Sequence, residues 1–117
     1  MGVTYVEATV TGPSGASRPV DLLVDSGATY SVLPVEVWQG LGLEPKRNVD
    51  FTLADGTRIS RSVSEARFSV QGEEAHSPVV LGEPGDAAIL GMVTLQTLGL
   101  VLNPFDRTLR PMRLLMV

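Results

Sequence analysis

Cysteine is absent from the chain, and its absence removes disulfides, thiolate metal sites and cysteine nucleophiles in one step. Histidine is nearly absent too. The one histidine, His76, lies beside Ser77 and Pro78 with no second histidine or cysteine to share a metal, and it reads as a surface residue. Positive charge is scarce: nine Lys and Arg stand against thirteen Asp and Glu, a formal net charge of −4. The basic residues are scattered, so nucleic acid is not an expected partner. No segment reaches the roughly 18 consecutive apolar residues that a membrane helix needs. The longest candidate, residues 87–102, is interrupted by Gly91, Thr94, Gln96, Thr97 and Gly99. The first residues lack a basic stretch leading into an apolar one, and Val6 stands where a myristoylation signal needs Ser or Thr. The expectation is a soluble, cytoplasmic protein with no membrane partner.

What the chain does contain is enough apolar material for one core. Hydrophobic residues make up 44% and charged residues 19% of 117, which argues for a folded chain. Its length fits a single domain over residues 1–117 that buries about two-thirds of the surface its unfolded chain exposes. No internal repeat or linker divides it.

The hydrophobic period is mostly two, with turn residues at short intervals, which predicts an all-β domain with one or two short helices. Residues 4–10 alternate, pass through a Gly/Ser/Pro loop at 11–17, and return as a strand over 20–24, making a first hairpin. Pro34 near a start and Gly40 and Gly42 near a stop predict a helix over 34–40, with Trp38 packing. Two more hairpins are expected, one around Asp55-Gly56 between residues 50–53 and 57–60, the other around Gln71-Gly72-Glu73. Strands over 78–81 and 88–91, a helix over 94–98 stopped by Gly99, a strand over 100–102, a turn at 103–106 and a final extended segment over 109–117 complete the reading.

The most informative feature is Asp25-Ser26-Gly27, placed where the apolar strand 20–24 ends and followed by Ala28 and Thr29. A carboxylate in partly apolar surroundings is costly to ionise alone, so its position calls for a partner that shares its proton or its charge. The chain holds one such triad, so the partner is expected from a second copy. An isolated Asp-Ser-Gly reads more readily as a turn after a strand. Its neighbours decide between the two readings.

Leu23-Val24-Asp25-Ser26-Gly27-Ala28-Thr29, the Asp55-Gly56 hairpin about thirty residues later, and Ile89-Leu90-Gly91 followed by a short helix recur in one order over nearly the whole chain. In that ordered set the chain resembles the retropepsin-like (clan AA) aspartic proteases, the single-domain type that includes retroviral enzymes and small bacterial and archaeal relatives. The resemblance implies a small closed or partly open acid-protease barrel, homodimeric, acting as an aspartic endopeptidase on a peptide or protein substrate without metal or other cofactor. It makes Asp25 the catalytic residue, with Ser26 and Gly27 supporting the site. Ser26 would bond across the dimer and Gly27 would let its backbone approach the carboxylates. It makes Ala28, Thr29, Asp55, Gly56, Ile89, Leu90 and Gly91 substrate-binding positions. Asp55-Gly56 would be a mobile flap, although an ordinary exposed hairpin fits the same residues, and Ile89 and Leu90 also fit a plain core.

The chemistry of a paired carboxylate agrees with that implication. Hydrolysis of an amide without metal or covalent intermediate needs one group to deprotonate water and another to protonate the carbonyl oxygen, and two carboxylates sharing a proton supply both. A glycosidase needs two distinct acidic residues at a set separation, which one strand-end Asp does not offer. The Glu73-Glu74 pair reads as a solvated turn.

Two positions depart from the retroviral pattern, which usually has an acidic residue at Thr29 and an arginine at Met92; bacterial and archaeal relatives commonly have Thr at the first position and often an acidic residue at Val93. The alternative reading is therefore a non-catalytic or weakly catalytic homodimeric peptide-binding or assembly module of the same fold. Past Asn103 the chain continues through an extra hairpin whose last residues, Met112, Leu114, Leu115, Met116 and Val117, are apolar enough to suggest a subunit interface.

Overall fold

The computed structural model describes residues 3–116. Nine strands and two short helices are ordered β1 (Tyr5–Thr11), β2 (Ser17–Val24), β3 (Ser31–Leu33), α1 (Val35–Gly40), β4 (Arg47–Thr52), β5 (Arg58–Val70), β6 (Glu73–Leu81), β7 (Ile89–Leu90), α2 (Met92–Leu98), β8 (Leu100–Leu102) and β9 (Leu109–Pro111). The alternation along β1, β2 and β5 does what it predicts: Ala8 and Val10, then Val20, Leu22 and Val24, then Ala66, Phe68 and Val70 turn into one core. Leu33, Leu90, Leu95 and Val79 complete its centre. Full burial of a side chain the size of Phe68 contributes roughly 1.5–3 kcal/mol, so this core carries most of the fold's stability.

Seven strands form one sheet in the order β1-β2-β7-β3-β6-β5-β4, and a further pairing of β1 with β5 closes six of them into a barrel. A barrel has no free edge, which removes the aggregation hazard of an open sheet. β5 makes the closure possible because it is long. Its first half pairs with β4 (Phe51↔Ile59), and its second half pairs with β1 (Val10↔Phe68). β4 therefore stands outside the ring, and the β4–β5 hairpin projects as an arm.

β7 runs parallel to β2 (Val24↔Leu90) and lies between β2 and β3. The chain leaving β2 must consequently arch over the end of β7 to enter β3, and residues 25–30 make that arch. β3 in turn runs parallel to β6.

Three expectations change in detail. α2 begins at Met92 rather than at residue 94; Gly91 occupies its N-cap and offers no side chain to mark the start, whereas Gly99 ends it in the left-handed conformation as expected. The Asp55-Gly56 turn is wider than a two-residue turn: Leu53 N donates to Thr57 O and Gly56 N to Leu53 O, and only Gly56 has positive φ. The terminal segment is regular only to Pro111. β8 has three residues to pair with, Met112 N makes one further bond to Gly99 O, and residues 112–116 then leave the sheet. Val117 lies outside the described residues. No helix among the described residues is long and apolar enough to cross a membrane.

Candidate active site

The arch over β7 fixes Asp25 through the backbone. Asp25 N donates to Leu90 O, Ala28 N closes a turn onto Asp25 O, and Met92 N and Val93 N donate to Ala28 O and Thr29 O. Both ends of the arch are thus fastened to β7 and the first turn of α2. The carboxylate itself is oriented by Gly27 N, which donates to Asp25 Oδ1 at 2.9 Å. A Cβ on Gly27 would lie 3.3 Å from that oxygen, a tight contact with the carboxylate itself. Ser26 is exposed and makes no side-chain hydrogen bond among the described residues.

Behind the arch lies a hydroxyl relay. Gly91 N donates to Ser31 Oγ at 2.9 Å, Ser31 Oγ lies 2.5 Å from Thr94 Oγ1, Thr94 Oγ1 lies 2.8 Å from Ser77 Oγ, and Ser77 Oγ donates to Pro78 O. Each hydroxyl has one hydrogen, so the last bond sets the sense of the rest: Thr94 donates to Ser77 and Ser31 to Thr94. All three hydroxyl residues are buried, and no buried side-chain polar atom among the described residues lacks a partner. Three elements, β3, α2 and β6, are joined beneath the arch at one point. Gly91 belongs to the same joint, since a Cβ there would meet Tyr30 C at 2.5 Å and Ser31 N at 2.8 Å.

Asp25 opens onto a cleft of about 400 Å³. Its floor is formed by Gly27, Ala28, Thr29 and Ile89, and its far side by the β4–β5 arm through Phe51, Leu53, Ala54 and Ile59. Tyr30 ties the arm to the arch: its ring meets Phe51 edge to face at 5.8 Å, and its hydroxyl accepts from Arg47 Nη2. Of the positions singled out in the sequence, Asp25, Gly27, Ala28, Thr29 and Ile89 line this cleft. Leu90 is fully buried below it, Gly91 is buried behind the arch, and Asp55 and Gly56 sit at the exposed tip of the arm, with Leu53 and Ala54 facing the cleft in their stead. Asp55 has a local task. Hydrogen bonding from the Thr57 side chain, and after it from Thr57 N at 2.8 Å, holds its pKa below the ordinary value.

Sequence reasoning missed an ion pair in the cleft. Arg61 of β5 donates from Nε and Nη2 to both oxygens of Asp86, at 2.8 and 3.1 Å, and Asp86 also accepts from Glu83 N. Arg61 holds the Asp86 pKa below the ordinary range, since the hydrogen bonds to the guanidinium outweigh the effect of burial. Nothing local signals the pair, whose members are 25 residues apart.

A larger open cleft of about 750 Å³ lies between residues 11–15, 42–46 and the middle of β5. Its titratable side chains, Glu44, Lys46, Glu65, Arg67 and His76, are all exposed, and no residue of the 25–30 arch lines it. Among the described residues, no three His, Asp or Glu side chains gather as metal ligands would.

Comparison with known proteins agrees with this geometry. The model of the aspartyl protease family matches residues 6–94, a span that contains the arch, the arm and the start of α2. No curated protein sequence matches the chain. Among solved structures, EIAV protease complexed with the inhibitor HBY-793 superposes with a TM-score of 0.63 at 19% identity, covering 84% of this chain and 89% of the other. That likeness is one of fold, and the fold is the retropepsin-like barrel expected from the sequence.

Proposed function

The chain belongs to the aspartyl protease family, and on that premise we propose that it is an aspartic endopeptidase whose single active site forms between two copies, from Asp25 and its two-fold mate. The observation that carries the proposal is the state of the carboxylates in the cleft. Two are present, Asp25 and Asp86, and both oxygens of Asp86 are held by Arg61. Asp86 is thereby committed, so a second acid/base group must come from another chain, and a two-fold axis near the arch supplies an identical one.

In such a pair the two carboxylates share one proton, because close like charges cannot both ionise easily, and the resulting pKa values belong to the pair. The ionised member takes a proton from a water, whose oxygen attacks the peptide carbonyl. The protonated member donates to the carbonyl oxygen as it becomes tetrahedral. Transfer of a proton to the amide nitrogen then allows the C–N bond to break, yielding acid and amine. The Gly27 N–H holds Asp25 in register for these transfers, and Ser26, exposed on the arch, is available to bond across the axis. The β4–β5 arm closes over an extended substrate and limits water access. Thr29 and Met92 leave the arch without a charged tether, a task taken by the backbone bonds from Met92 and Val93.

The apolar residues past β9 complete the proposal as interface: Leu114, Leu115 and Met116 are consecutive and 68%, 75% and 101% exposed, and a run of exposed apolar side chains fits a surface that another chain covers. The test is cleavage of a denatured-protein or peptide library by wild type and Asp25→Asn from about pH 3 to 7. Loss of cleavage in a folded Asp25→Asn dimer is the expected result. Equal cleavage by both would overturn the mechanism, and binding without cleavage by wild type would favour a peptide-binding module.

A further inference from the structure

The cleft beside Asp25 is apolar over most of its wall, through Ala28, Val32, Phe51, Ile59, Val80 and Ile89. Arg61 and Asp86 interrupt it. A partly buried ion pair is weak evidence for a stabilising role, since desolvation offsets much of the attraction and apolar residues of similar size commonly do as well. Arg61 is 16% exposed and Asp86 26%, so both have given up most of their water. Resting on the reading of this cleft as a peptide site, we propose that the Arg61–Asp86 pair is a specificity determinant, closing one corner of the cleft with a neutralised cation so that an uncharged, apolar side chain is accepted and an acidic or basic one is refused.

The hydrogen-bond inventory supports this. A guanidinium has five N–H donors. Two go to Asp86, one goes to Ser60 O at 3.0 Å, and Nη1 also faces Glu83 Oε1 at 3.7 Å. An incoming carboxylate would find the cation already matched and two carboxylates beside it. An incoming ammonium would find Asp86 bonded by Arg61 and by Glu83 N. Either charge would lose water and gain no partner, whereas an apolar side chain loses nothing. The pair also ties two elements together, β5 and the loop entering β7.

The experiment measures binding of peptides that differ only in Leu, Glu or Lys, scanned one position at a time, to the Asp25→Asn protein by fluorescence anisotropy, with cleavage of the same peptides by the Asp25 protein measured beside it. At one position the Leu peptide should bind about tenfold tighter than both the Glu and Lys peptides. Adding Asp86→Asn should raise relative binding of the Glu peptide by about tenfold, and Arg61→Gln should do so for the Lys peptide. The double substitution should show neither gain. If one single variant does not fold, the ranking in the parent and the other variant still decide the matter. A parent that prefers Glu or Lys at every position, or single variants that leave the ranking unchanged, would overturn the inference. Selective binding without cleavage would refute the catalytic reading and leave this one standing; binding of no peptide would refute both.

Discussion

Replacing Gly91 by alanine should unfold the joint behind the arch. The added Cβ would sit 2.5 Å from Tyr30 C, 2.6 Å from Tyr30 O and 2.8 Å from Ser31 N. All three are backbone atoms where the arch enters β3, so no flexible side chain can move aside. Relief requires the arch to lift, which stretches the bond from Gly91 N to Ser31 Oγ and with it the relay through Thr94 and Ser77. Overpacking of this kind costs roughly 1–3 kcal/mol, and loss of a buried hydrogen bond adds about 1 kcal/mol or more. A total of about 3 kcal/mol corresponds to a melting-temperature drop on the order of 10 °C or more for a domain of this size. The control is Gly56→Ala at the arm's tip, where φ is +88° and nothing lies within 4 Å, so only the backbone penalty of about 1 kcal/mol applies. Urea denaturation of both variants at one protein concentration, which holds any self-association constant, gives the comparison. Gly91→Ala no less stable than Gly56→Ala would refute the claim that close backbone passage shapes the site.

Gly56→Val should lower turnover far more than melting temperature, because the strain falls on an exposed arm that must move; steady-state kinetics and a thermal melt on one sample check it, and equal effects would make the hairpin structural only. Asp86, its pKa depressed by Arg61, should support folding above the ordinary aspartate value of about 4 and lose that contribution only as pH falls through its lower folded value. The stability difference between wild type and Asp86→Asn should therefore stay constant down to about pH 4 and shrink below it, as read by denaturation across pH; a difference that vanishes already near neutrality would contradict the pairing. Deleting residues 112–117 should weaken association and reduce cleavage in parallel, measured by sedimentation and activity at matched concentrations, and a truncated chain that associates as wild type does would remove the segment from the interface.

Local features of the fold were legible in the residues themselves. Alternation announced the strands, Gly99 announced the end of α2, and Gly72, with φ +84°, announced the tight β5–β6 turn. Closure of the barrel was expected only through the family resemblance and not from local pattern, because pairing of Val10 with Phe68 and of Val24 with Leu90 joins residues far apart in sequence and leaves no periodic trace. The site divided in the same way. Asp25 and its glycine stood out as a strand-end motif, whereas Ser31, Ser77 and Thr94 look like surface residues in a polar/apolar pattern and become structural only when three elements bring their hydroxyls together. Arg61 and Asp86 each resemble ordinary solvated charges until β5 and the loop before β7 are set side by side. The terminal segment shows the converse error: its apolar residues suggested a long strand, but strand length is limited by the partner, and β8 is only three residues long.

The central claim, that one site is shared by two chains, is tested most directly by mixing wild-type and Asp25→Asn subunits at constant total concentration, with time for exchange, and measuring cleavage against the wild-type fraction. If each chain supplies half of the acid/base pair, only wild-type pairs are active, and an equal mixture retains about one quarter of the wild-type rate. A linear fall, leaving about one half at equal mixture, would mean that each chain carries a complete site and would contradict the account.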